Sequence, residues 1–174
     1  MKIIEGKYLS YTQRLIHWRM LVCVYVFLLY SYLIFNFSLI KEFAIYIEII
    51  NFIICASVYL HKTKKNIHKI GFDKDDNIIL EGETYNKIWE DLINLDQSKI
   101  FIKGKPSRTG ICGVLFKIKL KNTKVNYTIN LFNNFTEKEI LDFFNEFKHR
   151  KKEKIILDEK LILNRIQEKI DKCQ

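Results

Sequence analysis

The sequence predicts an α+β protein in which a two-helix transmembrane hairpin is followed by an antiparallel β domain that a C-terminal helix closes. Three observations lead to this prediction. Residues 15–60 contain only four charged side chains, short apolar runs alternate with turn signals from Ile67 onward, and an amphipathic helical pattern begins at Thr136. Hydrophobic residues make up 48% of the chain, which excludes intrinsic disorder, and one Pro with 6 Gly excludes collagen-like and low-complexity classes.

Two apolar runs are long enough to cross a membrane. Residues 20–37 carry no charge, and residues 43–60 carry one, at Glu48. A helix rises about 1.5 Å per residue and a bilayer core is about 30 Å thick, so each run spans it when its flanks are included. A cleaved signal peptide is excluded because the first run is too long, lacks a small-residue cleavage site and is followed at once by a second span.

The link Ser38–Glu42 is short, so the two spans are antiparallel. Basic residues flank the outer ends of the spans, whereas the link has Lys41 alone beside Glu42. The positive-inside rule therefore predicts a multi-pass protein of the inner (cytoplasmic) membrane with both termini in the cytoplasm. The predicted segments are an N-terminal segment at 1–14, the hairpin at 15–60, a cytoplasmic domain at 67–149 and a basic, amphipathic C-terminal segment at 150–174.

Glu48 and Asn51 are the polar residues of interest inside the second predicted span. They lie one turn apart on the same helical face. A carboxylate within a span is a functional candidate by default. Glu48 is also near enough to the outer end to snorkel, or to sit protonated against Asn51. A structural or oligomerising role and an ion or proton path are therefore both open.

The cytoplasmic domain reads as a meander of six or seven strands closed by one helix. Thr136 as N-cap and Glu139 three residues later form a capping box that begins this helix. A tight turn is predicted at Glu81-Gly82-Glu83 and a loop at Gly104–Gly110. The predicted strands are Ile67–Phe72, Ile78–Glu81, Thr84–Trp89, Leu95–Lys103, Ile111–Lys121 and Lys124–Phe132.

This order of elements resembles the pleckstrin-homology-like (PH-like) fold, an antiparallel β-barrel or sandwich capped by a C-terminal helix. More narrowly, it resembles small bacterial membrane proteins that carry a transmembrane hairpin before a PH-like domain. The matching segments are Ile70–Asp73, Asn77–Leu80, Ile88–Leu92, Phe116–Leu120 and the helix from Thr136. The resemblance implies that Trp89, in the run Ile-Trp-Glu-Asp-Leu, docks on the barrel as a structural residue. A likeness of fold does not transfer an activity.

A basic stretch lies between Gln97 and Thr136, where eight basic residues occur without an acidic one. On Phe116–Lys121 the alternation is strict, so its lysines form a row on one sheet face. The open interpretations are general attraction to anionic lipid, a specific headgroup pocket, and a solvated face that discourages edge pairing. The candidate lipid-binding residues are Lys99, Lys103, Lys105, Arg108, Lys117, Lys119, Lys121 and Lys124.

The C-terminal segment combines the basic run Lys148–Lys154 with a second helix, for which Asp158 is the expected N-cap. Its apolar residues form one stripe. The stripe either packs on the protein's own domain or hairpin, or mediates self-association or contact with a protein partner. The residues of this stripe are Ile156, Leu163, Ile166 and Ile170.

Motifs for catalysis, metal binding or cofactor binding are missing from the sequence. The four cysteines and four histidines are scattered, so we expect neither a metal site nor a disulfide framework. No phosphate-binding Gly-rich loop, nucleophile elbow or zinc-protease motif is present, so we expect no cofactor and no enzymatic activity. No RNA-binding aromatic motif or recognition helix accompanies the lysines, so nucleic acid is not an expected partner.

The net charge of +9 favours an anionic partner, and the heavy use of Lys, Ile and Asn suggests a bacterial source. The predicted function is a non-enzymatic, membrane-anchored PH-like module that binds anionic phospholipid or a protein partner at the cytoplasmic membrane face. Self-association through the hairpin or the C-terminal helix is a further expectation. The alternative is a small bacterial membrane immunity or defence component that counteracts or senses a membrane-active toxin or pairs with a neighbouring effector.

Overall fold

The computed structural model describes residues 2–16, 18–36, 43–105, 115–122 and 125–173. The chain divides into two compact units. The β unit consists of residues 1–9, 66–83 and 87–174, and the helical unit consists of residues 10–65 and 84–86. The predicted mixed α+β class, with antiparallel sheets and two apolar helices, is confirmed.

The helical unit contains α1 (Tyr11–Leu15), α2 (Trp18–Asn36) and α3 (Ala44–Thr63). The segments Tyr11–Ile34 and Ile45–Thr63 are long and apolar enough to cross a membrane, and their apolar windows are not buried by the protein. Leu21 is 71% exposed and Ile45 is 65% exposed. A helix that is apolar all round is typical of a segment that is covered by something other than water.

Arg14 holds the ends of the helical unit together. It is fully buried. Its Nε donates to the Thr63 carbonyl at 3.1 Å and its Nη2 donates to the Tyr85 carbonyl at 3.2 Å. The Thr63 carbonyl lies in the last turn of α3, where carbonyl groups lack helical partners and a cation is favoured. Tyr85 has a φ of 58°, a strained left-handed conformation for an aromatic residue, and its amide is fixed by the Lys64 carbonyl.

The β unit contains two antiparallel sheets and two helices. One sheet has the order β1-β2-β3-β4 and the other β5-β6-β7. Its strands are β1 (Lys2–Glu5), β2 (Lys65–Phe72), β3 (Asn77–Thr84), β4 (Lys87–Asn94), β5 (Lys99–Lys105), β6 (Leu115–Lys121) and β7 (Asn126–Ile129). Its helices are α4 (Glu137–Arg150) and α5 (Leu157–Cys173).

Strand β1 and the short helix α1 are elements that sequence reasoning missed. Strand β1 pairs antiparallel with β2, with Ile3 opposite Gly71 and Glu5 opposite Lys69. The four-residue strand is too short to show a periodic pattern by itself. Three residues after β1, the Tyr8 hydroxyl donates to Glu83 at 2.6 Å, and this bond joins the chain after β1 to strand β3.

The helical segment is an insertion in the β unit. In the sequence α1, α2 and α3 all lie between β1 and β2, and yet these two strands are hydrogen-bonded neighbours. The chain therefore leaves the sheet after β1 and returns to it at β2.

The turn predicted at Glu81-Gly82-Glu83 is wrong. Gly82 lies inside β3, and the turn falls at residues 85–86, followed by β4. The glycine is needed for space: a Cβ at this position would lie 2.3 Å from Cζ2 of Trp89 and 2.6 Å from the Asn66 carbonyl oxygen. The predicted strand Thr84–Trp89 is accordingly shifted, because Trp89 lies near the start of β4, where it packs partly buried against the core.

Both sheets and both helices contribute to a single core. The capping box at Thr136 and Glu139 is confirmed, with the Glu139 amide donating to the Thr136 hydroxyl at 3.3 Å. From α4, Phe143 stacks on Phe72 with ring centroids 5.1 Å apart. The apolar stripe of α5 packs on this core through Leu163, Ile166 and Ile170, so the stripe contacts the protein's own domain, as one of the two interpretations predicted. Of that stripe, Leu163 and Ile166 are buried, Ile170 is half-buried and Ile156 is exposed.

Other boundaries also differ from the sequence-based predictions, since β5 begins at Lys99 rather than Leu95 and β7 covers only Asn126–Ile129. The loop expected from Gly104 begins later, because β5 continues through Lys105, and residues 106–114 lie outside the described part. Asp158 lies in the first turn of α5 rather than at its N-cap. Among the described strands no backbone pairing joins the two sheets, so these strands do not form the closed barrel that was one form of the prediction.

We predict that Gly82→Ala destabilises the protein by about 1–3 kcal/mol, because the added methyl group overpacks the site under the indole. The penalty should be smaller in the Trp89→Leu background, since a smaller side chain can move away and the two effects are then not additive. Denaturant unfolding of the four chains of this double-mutant cycle measures both values. Equal penalties in the two backgrounds would show that the indole does not require the glycine.

Candidate anion-binding face

The predicted row of lysines lies on one face of the sheet β5-β6-β7. Strand register places Lys99 opposite Lys121 and Lys103 opposite Lys117, with Lys119 between them on β6. The residues that alternate with them point into the core and are buried, namely Ile100, Ile102, Ile118 and Leu120. We call the five residues Lys99, Lys103, Lys117, Lys119 and Lys121 the lysine face.

Sequence reasoning predicted the row on β6 but not its pairing with β5. The cross-strand pairs juxtapose like charges, and residues directly opposite have Cβ atoms about 4.5–5.5 Å apart. Such pairs destabilise a sheet. The three strands contain no acidic residue, and among the described residues no carboxylate forms an ion pair with Lys99, Lys103 or Lys119. The lysine face therefore concentrates positive charge at the expense of stability.

Two cations elsewhere in the β unit, Lys69 and Arg150, have carboxylate partners. Lys69 Nζ lies 3.0 Å from a Glu81 oxygen, and this hydrogen bond raises the pKa of Lys69 and lowers that of Glu81. Arg150 bonds Glu146 at 2.7 Å, which raises the pKa of its guanidinium. Lys99, Lys103 and Lys119 differ from these two residues because, among the described residues, they form no ion pair with a carboxylate and their strands contain no acidic residue.

Phe101 lies at the centre of the lysine face. It is 41% exposed and stands opposite Lys119. The amino group of Lys121 lies 5.6 Å from the centroid of its ring. An exposed aromatic ring among cations provides both an apolar and an electrostatic contact, a combination suited to a surface that is anionic outside and apolar beneath.

The other three candidate basic residues are not included in the lysine face. Lys105 occupies the last position of β5, opposite Leu115. Arg108 and Lys124 lie outside the described residues.

A polar group links the two apolar helices. The Ser31 hydroxyl on α2 donates to Glu48 Oε2 on α3 at 2.9 Å. Among the described residues, Glu48 Oε1 and Asn51 Nδ2 are buried without a hydrogen-bond partner, while Asn51 Oδ1 accepts from Cys55 Sγ at 3.6 Å. Sequence reasoning missed Ser31, although the predicted hairpin with its link at 38–42 would bring together residues that are equally distant from the link. The arrangement cross-links the helices.

Asp91 and Tyr127 join the two sheets beside Trp89. The Tyr127 hydroxyl donates to Asp91 Oδ2 at 2.9 Å, and the rings of Trp89 and Tyr127 lie 6.3 Å apart. Burial, with a further contribution from the bond to Asp91, raises the pKa of Tyr127 to about 12. The phenol therefore stays protonated and donates at neutral pH, which suits a structural contact.

Within the described parts of the chain, no group of three or more His, Cys, Asp or Glu residues is arranged to hold a metal ion. No protein-family model, curated protein or solved structure matches the chain.

We predict that Lys99→Glu raises the stability of the protein, because a like-charged pair with Lys121 becomes an opposite-charged pair. The gain should be roughly 0.2–1 kcal/mol, or about 1–4 °C in melting temperature. Lys99→Gln removes the repulsion without adding an attraction. Its melting temperature should therefore lie between those of Lys99→Glu and the wild type. A lower melting temperature for Lys99→Glu would contradict the cross-strand repulsion.

Proposed function

We propose that the protein is a membrane-anchored PH-like module whose lysine face binds anionic phospholipid headgroups at the cytoplasmic membrane face. The observation that carries this proposal is the lysine face itself, with like charges in register around an exposed Phe101 and no acidic residue in its strands. No chemical group for catalysis is needed for this activity.

The exposed apolar surfaces of α2 and α3 support the anchor. Leu21 and Ile45 are examples of exposed apolar side chains that lipid would cover. The hydrogen bond from Ser31 to Glu48 gives these two polar side chains a partner within the hairpin. The pairing of β1 with β2 supports a hairpin whose two ends lie on one side of the membrane, because the segments before and after it share one sheet. The basic flanks of the hairpin favour the cytoplasm for that side.

The strand order supports the PH-like assignment. Four strands and three strands form two antiparallel sheets over one core, and an amphipathic helix, α4, follows the last strand. This is the order of elements expected for the fold, with the helical hairpin inserted after β1.

The shape and chemistry of the lysine face favour a lipid surface over nucleic acid. Each Lys near an anionic leaflet contributes about 1 kcal/mol. The cations are distributed over a sheet rather than lining a groove, and Phe101 at their centre provides apolar area. A headgroup layer presents many phosphates above an apolar interior, so it complements both features.

We predict that the N-terminus and Gln174 are cytoplasmic and that Ser38 is external. Accessibility of a membrane-impermeant label in intact cells measures this for a tag at residue 1 and for cysteines placed at the other two sites. Gly6 is unsuitable for a label, because an added Cβ would lie 2.8 Å from the Asn134 carbonyl oxygen. An external label at either end, or an internal one at Ser38, would contradict the topology.

We also predict that the full chain, held in phosphatidylcholine nanodiscs, co-sediments with phosphatidylglycerol vesicles at low salt and is released by high salt. Replacing Lys117, Lys119 and Lys121 by Gln should weaken this binding by about 3 kcal/mol, on the order of 100-fold. The matched control replaces three exposed lysines outside the face, Lys74, Lys87 and Lys172. Failure to sediment at low salt, or equal loss in both triple variants, would overturn the proposal.

A further inference from the structure

The junction between α4 and α5 presents an unusual apolar surface. Three consecutive aliphatic residues are exposed there, and one more follows a turn later on the same side of α5. We call Ile155, Ile156, Leu157 and Leu161 the apolar tip. Leu157 is 73% exposed and Ile156 60%. Isolated exposed aliphatic residues need no explanation, but a contiguous group marks a contact surface.

Buried ion pairs hold the apolar tip in place. Lys148 is buried, and its Nζ lies 3.2 Å from a Glu153 oxygen and 3.0 Å from a Glu159 oxygen. Burial alone would lower the pKa of Lys148, but the hydrogen bonds to these carboxylates outweigh it and raise the pKa, so the amine remains charged. The Ile156 amide donates to the other Glu159 oxygen at 3.1 Å. The tip is therefore a fixed projection.

The base of the apolar tip is joined to the start of β5. Lys151 pairs with Glu153 and its amine also donates to the Ser98 carbonyl. Ser98 directly precedes Lys99, the first residue of the lysine face. The segment that carries the tip is thus fastened next to one end of the lysine face.

Charge around the apolar tip is mainly positive. Lys152, Lys154 and Lys160 are exposed beside it, as is the carboxylate of Asp158. The partly exposed carboxylate of Glu153 is paired with Lys148 and Lys151. Glu159 is buried on Lys148 and therefore adds no exposed negative charge. Aliphatic side chains rimmed by lysines are the chemistry of a segment that inserts into an anionic membrane interface.

We infer that the apolar tip inserts into the headgroup region of an anionic bilayer, as a second membrane contact beside the lysine face. This inference rests on the proposed function, because it takes the same membrane as the ligand. A second copy of the chain is a poorer occupant, since a symmetric contact through the tip would bring the rim lysines of two copies together.

The test uses the full chain with its native cysteines replaced by Ser, reconstituted in nanodiscs of phosphatidylcholine and phosphatidylglycerol. Ile156→Cys carries an environment-sensitive fluorophore. The control, Lys172→Cys, lies at the other end of α5, about 24 Å along the helix. We expect the label at 156 to emit at shorter wavelength and to be quenched by lipids brominated in the acyl chain, whereas the label at 172 should remain water-like.

A water-like label at position 156 in anionic nanodiscs would overturn the inference. So would a blue shift that appears only with two chains per disc and is insensitive to brominated lipid, because a second copy would then cover the tip. The Gln substitutions at Lys117, Lys119 and Lys121 separate the two proposals. If the label at 156 is quenched equally with and without these substitutions, while the substitutions leave vesicle sedimentation unchanged, the tip contact stands and the lysine-face function falls.

Discussion

The backbone pairing of β1 with β2 is the constraint on which the architecture depends. Ile3 lies opposite Gly71, and the Gly6 amide donates to the His68 carbonyl at 2.7 Å just beyond the strand. Between these partners the chain runs through α1, α2 and α3. A short strand at the N-terminus therefore determines that the apolar helices are an insertion in the β unit, with both ends fixed to adjacent strands.

Some cations of the β unit have carboxylate partners, whereas Lys99, Lys103 and Lys119 have none among the described residues. Lys148 is buried and held by two carboxylates, so its charge stabilises the junction of α4 and α5. Lys99 stands opposite Lys121, and the strands around them provide no acidic residue. Like charges directly opposite each other destabilise a sheet, and this cost is the reason for proposing a ligand for the lysine face.

Local signals in the sequence predicted the features that depend on neighbouring residues. The alternation on Phe116–Lys121 gave the buried and exposed faces of β6, and the capping box gave the start of α4. Features set by distant residues were missed. The sequence around Gly82 indicates a turn, but the glycine is required by the Trp89 indole, which lies against it from the neighbouring strand β4. The pairing of Lys99 with Lys121 depends likewise on a register that no single segment encodes.

The insertion after β1 also constrains how the protein is made. Strand β1 is synthesised before α2 and α3, whereas its partner β2 is synthesised after them. If α2 and α3 cross a membrane, as we propose, β1 and β2 can pair only when both helices are inserted, because only then does the chain return to the side on which β1 lies. In a chain with only one helix inserted, β1 and β2 would lie on opposite sides of the membrane. The backbone of β1 would then be unpaired and the edge of β2 would be open. Completion of the sheet would thus discriminate correctly inserted chains from misinserted ones, a form of quality control built into the connectivity.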